Sequence, residues 1–193
     1  SPAAVAAPDA CQDSYQLSDN GAVSFSRDGS RLYAGCALPQ PPKPDTGTPA
    51  EDRVIADLWH WRDDFIQPMQ KVRATRERNR TYTAVWHLDQ KRFVQLASRI
   101  LPTVLLNDGG THAVAIDDRP YRRMADYEGA HADHYLLDTR TGERGVAFGR
   151  LRTGSTTALQ WSPDGRYVLF YRDRHWYTLA APGGTLTNLT SGI

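Results

Sequence analysis

The feature that most restricts what this chain can fold into is a hairpin that recurs. Val23-Ser24-Phe25-Ser26-Arg27-Asp28-Gly29-Ser30-Arg31-Leu32-Tyr33 aligns with Leu159-Gln160-Trp161-Ser162-Pro163-Asp164-Gly165-Arg166-Tyr167-Val168-Leu169. Both read as strand, tight turn, strand. Gly reaches positive φ without a Cβ clash, Asp can bond its own backbone, and Pro163 presets φ for the turn. A weaker copy runs from Thr103 to Ala115 around Asp108-Gly109.

Second hairpins follow two of these copies. His134 to Asp138 and Arg144 to Phe148 follow the middle one; His175 to Leu179 and Leu186 to Thr190 follow the last. Two hairpins in succession make one four-stranded blade. The predicted fold class is therefore all-β: a partial β-propeller of about three four-stranded blades, WD40- or TolB-like, with a short helical insert.

Spacing locates the insert. The Asp-Gly pairs at 28, 108 and 164 lie 80 and 56 residues apart. A plain blade needs roughly 40 to 50 residues, so the first interval carries an insertion. Pro39 to Pro49 is rich in Pro, Lys and Asp and reads as a loop; Ile55 to Trp61 reads as a strand. Pro68 to Arg80 has good helix formers and few breakers, which predicts a short helix. Thr81 to Leu88 and Arg92 to Leu96 then close the blade. Ser14 to Ser18 resembles Phe93 to Ser98 and is read as the last strand of a preceding blade, or as a strand that completes another. The expected divisions are 1–20 (an N-terminal segment with that strand), 21–98 (a blade with insertion and helix), 99–150 (a second blade) and 151–193 (a third). Three blades do not close a ring of four to eight, so further blades of a longer chain, or a homodimer, are expected to complete it.

The bulk charge excludes some functions. Lys and Arg number 23 against 22 Asp and Glu. That balance gives no general pull toward nucleic acid or an anionic membrane. No apolar run approaches the roughly 20 residues needed to cross a bilayer as a helix. Ser1 to Pro8 is small and apolar but lacks a basic region, so it reads as a boundary and not as an intact signal peptide. Cys11 and Cys36 are too few for a disulfide scaffold. They could pair in an oxidising compartment or stay as two buried thiols.

A family resemblance rests on particular strings. Asp57-Leu58-Trp59-His60-Trp61-Arg62-Asp63, then Ile66-Gln67-Pro68, then Asn79 to Leu88 resemble large bacterial prolyl-oligopeptidase-like serine peptidases, the S9 family, of the dipeptidyl-peptidase-IV-like kind. Ser162 to Val168 resembles the blade hairpin of their N-terminal propeller, and equally that of TolB-type and WD40-like propellers. The resemblance covers residues 14 to 193. It implies a noncatalytic propeller that gates entry and positions substrate for an α/β-hydrolase domain outside this chain. The implied partners are that domain, the remaining blades and a peptide substrate. The implied compartment is the periplasm or the cell exterior. The alternative is a TolB- or WD40-like module for protein–protein interaction. The family's Gly-x-Ser-x-Gly elbow is absent here, since Gly154-Ser155 and Ser191-Gly192 lack the flanking glycines. No catalytic residue is carried over, and neither cofactor nor metal is expected.

Other constellations read as structural. His131 and His134 have a metal-like spacing beside Asp126 and Asp133, but nothing nearby completes a ligand set. Lys71, Arg73, Arg76, Arg78 and Arg80 spread around the helix and read as a solvated face, or one docking on an acidic neighbour. Trp59, Trp61, Trp86, Trp161 and Trp176 are expected to pack between sheets. Asn79-Arg80-Thr81 and Asn188-Leu189-Thr190 match the short glycosylation pattern, which carries no meaning in a bacterial protein. Loops on a rigid scaffold often carry function, so substrate contact is expected at Arg62 and Asp64 in the first insertion and at Arg122, Arg123 and Tyr127 in the second.

Overall fold

A computed structural model describes residues 11–12, 14–40, 47, 49, 52, 56, 58–153 and 159–192. Three antiparallel sheets follow one another along the chain. The first contains β1 (Gln16–Leu17), β2 (Ser24–Phe25), β3 (Arg31–Ala37), β4 (Tyr82–His87) and β5 (Arg92–Gln95). The second contains β6 (Thr103–Leu106), β7 (His112–Asp117), β8 (His131–Asp138) and β9 (Arg144–Arg152). The third contains β10 (Gln160–Trp161), β11 (Tyr167–Arg172), β12 (His175–Ala180) and β13 (Leu186–Asn188). The second and third are simple meanders, each strand paired with its neighbours in sequence. Adjacent sheets pack face to face, and the architecture is that of consecutive propeller blades. Two short helices, α1 (Gln67–Arg78) and α2 (Ala125–Glu128), and a 3-10 turn over Arg119–Met124 lie in the connections.

Three sequence expectations are corrected. First, of the two readings of Gln16–Leu17, the strand does not end a preceding blade but completes another, the first sheet. β1 pairs with Ala37 and Cys36 of β3, while β2 takes the other half of the same edge at Tyr33 and Leu32. A two-residue strand carries too little pattern to specify its partner, and the short β2 leaves half of that edge open.

Second, Ala56 and residues 58–61 form no strand, and Leu58 is 94% exposed. Ile55 and Asp57 lie outside the described residues. Both edges of β3 and of β4 are already paired, so this segment finds no edge there.

Third, the middle turn is shifted by one residue. Gly29 and Gly165 take φ of 70° and 69°, and each donates its N–H to the carbonyl of Ser26 or Ser162. In the middle sheet Gly110, not Gly109, takes φ 64° and bonds the Asn107 carbonyl. Asn107 substitutes for the missing aspartate, its Oδ1 accepting from the Thr111 N–H at 2.9 Å. In the other two turns the hydroxyls of Ser26 and Ser162 donate to Asp28 and Asp164 at 2.5 and 2.6 Å. Those bonds, with N–H donors two residues on, hold both carboxyl groups well below the usual carboxylate range.

The core lies between sheets, and strand alternation sets it. On β7, Ala113 and Ala115 face Val85, Val94 and Leu96 of the first sheet. Val114, between them, faces Val168, Phe170 and Leu179 of the third. Phe170 has ring neighbours Phe148 and Tyr177 at 5.1 and 5.7 Å. Each such large side chain contributes about 1.5–3 kcal/mol by burial. The first sheet's other face is covered by Cys11 and Tyr15 over Cys36 and Ala84, with Leu17 and Phe93. Cys11 and Cys36 are disulfide-bonded, their Cα atoms 6.1 Å apart, which decides between the two readings of these cysteines.

Turn glycines receive side chains from the preceding sheet. A Cβ at Gly110 would overlap the Tyr33 hydroxyl, and one at Gly165 the Asn107 amide. In the turns joining third to fourth strands, a Cβ at Gly142 would lie 3.2 Å from Val94, and one at Gly184 would overlap Val146. A buried polar contact adds to the first joint: His87 Nε2 donates to the Thr139 carbonyl at 2.9 Å.

Candidate functional site

Antiparallel order places every connection between second and third strands at one end of the sheets. In the first sheet this connection is 38–81, in the second 118–130, in the third just Asp173-Arg174. The link 96–102 from β5 to β6 reaches the same end. The two long connections meet there.

Arg122 is the tie. Its Nη1 donates to Asp64 at 2.9 Å, and its Nε and Nη2 donate to Asp118 at 3.0 and 2.8 Å. Burial works against the Arg122 cation, yet the bonds to Asp118 and Asp64 outweigh it and raise its pKa. Arg123 donates to the Arg62 backbone carbonyl. Phe65 meets two cations, with the Arg73 guanidinium 4.0 Å and that of Arg122 5.4 Å from its ring centre. Asp63 accepts from the His60 N–H at 2.9 Å and the Gln70 amide at 3.0 Å, which fold residues 60–63 onto α1 and lower its pKa.

The structure therefore joins Arg62, Asp64, Arg122 and Arg123 in one bonded cluster. Tyr127 makes none of these bonds and stands 86% exposed on α2. The Arg122 side chain is committed to two carboxylates and only 18% exposed. The Arg62 guanidinium lies 4.7 Å over the Trp61 ring. Trp59 and Trp61, expected between sheets, are instead 64% and 72% exposed, because they sit on the insertion and not on a blade strand. Trp86, Trp161 and Trp176 do lie on strands and are half-buried.

A cleft of about 540 Å³ opens beside the tie. Arg80, Arg99, Arg119 and Arg122 line it, with Tyr82 and Ile100. They come from three separate stretches of sequence, so no motif could have announced them. A second hollow of about 450 Å³ lies at the next joint, between His131 and Arg150 on one side and Tyr171 and Arg172 on the other.

His131 and His134 cannot share a ligand, since three residues along a strand puts them on opposite faces. The His131 Nδ1 is bonded to the Gly129 carbonyl. His134 is buried against Phe148, and burial lowers its pKa. No trio of metal-ligating side chains occurs among the described residues. Nor, among them, is any serine hydroxyl or free thiol hydrogen-bonded to a histidine.

Neither a known family model nor a curated protein matches the sequence. Solved structures do match in shape. An acylaminoacyl peptidase in complex with a chloromethyl ketone is 12% identical with a TM-score of 0.43, over 88% of this chain and 25% of that one. The β-propeller domain of the trilobed protease from Pyrococcus furiosus is 11% identical with a TM-score of 0.39, over 86% and 41%. Hydrazine synthase from Kuenenia stuttgartiensis is 13% identical with a TM-score of 0.35, over 86% and 41%. The chain spans between a quarter and two fifths of the length of these structures, and likeness at this level says nothing of activity.

Proposed function

We propose that the chain is the noncatalytic propeller portion of a serine peptidase of the prolyl-oligopeptidase kind. The observation that carries this reading is the Arg122 tie, which holds two insertions together over one end of adjacent sheets and borders a cleft. Rigid sheets below and functional loops above is the usual placing of a binding site. The strings Asp57 to Asp63 and Asn79 to Leu88, which carry the family resemblance, belong to that insertion and the strand leaving it. Gating works by size: a folded protein is too large for a cleft of this volume, and an extended peptide is not. Positioning works through arginine donors, which bond peptide carbonyl oxygens and carboxylates, and through exposed aromatic rings. The reaction itself belongs to an α/β-hydrolase domain, with the remaining blades closing the ring. The Cys11–Cys36 disulfide supports a periplasmic or secreted protein, since such bonds persist in oxidising compartments.

The test is an immunoblot of source cells with an antibody against this chain, followed by labelling with a fluorophosphonate serine-hydrolase probe. A labelled band several times larger than 21.6 kDa is expected. An unlabelled band near 21.6 kDa overturns the reading and points to an interaction module, closed as a homodimer.

A further inference from the structure

Three of the four guanidiniums in the cleft are already answered. Arg80 Nε donates to Glu77 at 2.6 Å. Arg119 makes a two-pronged bond to Asp117 at 2.8 and 2.7 Å. Arg122 holds Asp64 and Asp118. Arg99 differs: among the described residues no carboxylate stands within ion-pair distance of it.

Its backbone is fixed all the same. The Arg99 N–H donates to the Tyr15 hydroxyl at 3.0 Å. The Ser98 hydroxyl accepts from the N–H groups of Ile100 and Leu101 at 3.2 and 3.4 Å. The Ser98 N–H closes the turn on the Leu101 carbonyl at 3.0 Å. The turn therefore presents, from a pinned base, a cation with no carboxylate partner among the described residues. Beside it the cleft wall is apolar: Ile100, half exposed, Pro102, and the ring of Tyr82, which is stacked edge-on against Tyr15.

We infer that this cleft binds the carboxylate of a peptide, with Arg99 as the guanidinium that receives it and Tyr82, Ile100 and Pro102 as the wall for the apolar residue beside it. A planar guanidinium meets a carboxylate through two parallel N–H donors, which gives orientation as well as attraction. Because the other three arginines are paired, Arg122 with two carboxylates at once, the cleft has no broad basic field, and attraction for a carboxylate is concentrated at Arg99. A volume of about 540 Å³ lies in the range of small-ligand sites, roughly 300–1,000 Å³. The inference deepens the peptidase reading and rests on it for taking the ligand to be a peptide.

The carboxylate could be a chain terminus or an acidic side chain, and the experiment separates them. The native full-length protein is treated with a sulfonyl fluoride to stop hydrolysis. Fluorescence anisotropy then measures binding of three amino-labelled tripeptides: Gly-Gly-Leu as free acid, Gly-Gly-Leu amide and Gly-Glu-Leu amide. The free acid is expected to bind at least tenfold more tightly than its amide. Arg99→Gln removes that preference and Arg99→Lys keeps part of it. Arg99 is exposed, so neither variant threatens folding, and far-UV circular dichroism checks this. Preference for Gly-Glu-Leu amide over Gly-Gly-Leu amide assigns the site to acidic side chains. Equal binding of all three, or an acid preference that survives Arg99→Gln, overturns the inference. Acid preference in a protein that no serine-hydrolase probe labels overturns the peptidase reading and leaves the cleft standing. A labelled, peptide-cleaving protein without acid preference does the reverse.

Discussion

The first and third sheets are built alike and joined differently. Each pairs its strands in antiparallel order, and each begins with a Ser-x-Asp-Gly turn held by the same serine–aspartate bond. Their middle strands are connected by very different lengths of chain. In the third sheet Asp173 and Arg174, at φ 51° and 67°, make a two-residue hairpin. In the first sheet residues 38–81 intervene. Loop closure becomes costlier only slowly with length, so a blade tolerates either. What holds a blade is strand pairing and the apolar joint to its neighbour. What makes a site is the length of chain a blade can carry without disturbing that joint.

The sharpest way to break this distinction is to truncate one aromatic in each region. Phe170→Ala, in the joint of the third sheet, should cost about 3–5 kcal/mol in urea unfolding. Trp61→Ala, on the first sheet's insertion, should stay within about 0.5 kcal/mol. Comparable losses would show that the insertion is part of the core.

Next in size is the disulfide, which links residues 25 apart. Its removal by Cys11→Ser with Cys36→Ser should cost about 3 kcal/mol. Amide exchange should quicken mainly in β1 and β3, while β11 and β12 keep their protection. Uniform quickening would mean that the sheets unfold as one unit.

A third test compares two turns of the same conformation. Gly29→Ala meets open space and should cost about 1–2 kcal/mol from positive φ alone. Gly165→Ala has the same φ and also meets Asn107, so its thermal unfolding should show the larger loss. Equal losses would remove the joint from the explanation.

The smallest effect is pH-dependent. His134 lies at the joint of second and third sheets, its Nδ1 unpartnered, and burial lowers its pKa despite the nearby Asp133 charge. The unfolded chain therefore binds a proton more readily than the folded one. That stability contribution is complete above the unfolded value near 6.5, and it declines as pH falls below it. The slope cannot exceed about 1.4 kcal/mol per pH unit. Chemical denaturation between pH 7 and 5 should show the decline, and His134→Phe should flatten it. An unchanged slope in the variant would assign it to other groups.

The blades were legible in the sequence because strand alternation and Asp-Gly turns are local signals. The middle turn was misplaced by one residue because Asn107-Asp108-Gly109-Gly110 contains two candidate glycines, and only hydrogen bonding chooses between them. Position on an insertion singled out Arg62, Asp64, Arg122 and Arg123, which the structure bonds together, but equally Tyr127, which it leaves apart. It could not reveal Arg80, Arg99 or Arg119, whose nearness depends on how two sheets and a link meet. Trp59 and Trp61 misled because alternation of aromatics looks like a strand wherever it occurs, and pairing needs a free edge as well.

The glycines that accept side chains from a neighbouring sheet give the stack a polarity. Val94 leans on Gly142 and Val146 on Gly184, each one sheet further along. The corresponding position of the first sheet is Lys91, also at positive φ. Every joint thus carries a key on one side and a notch on the other, and a sheet entered in reverse order would present key to key. A gene that duplicates one blade copies both halves of the lock together, so the new unit fits beside its parent before any further mutation. In such chains a glycine four residues beyond a third strand marks where a neighbour leans.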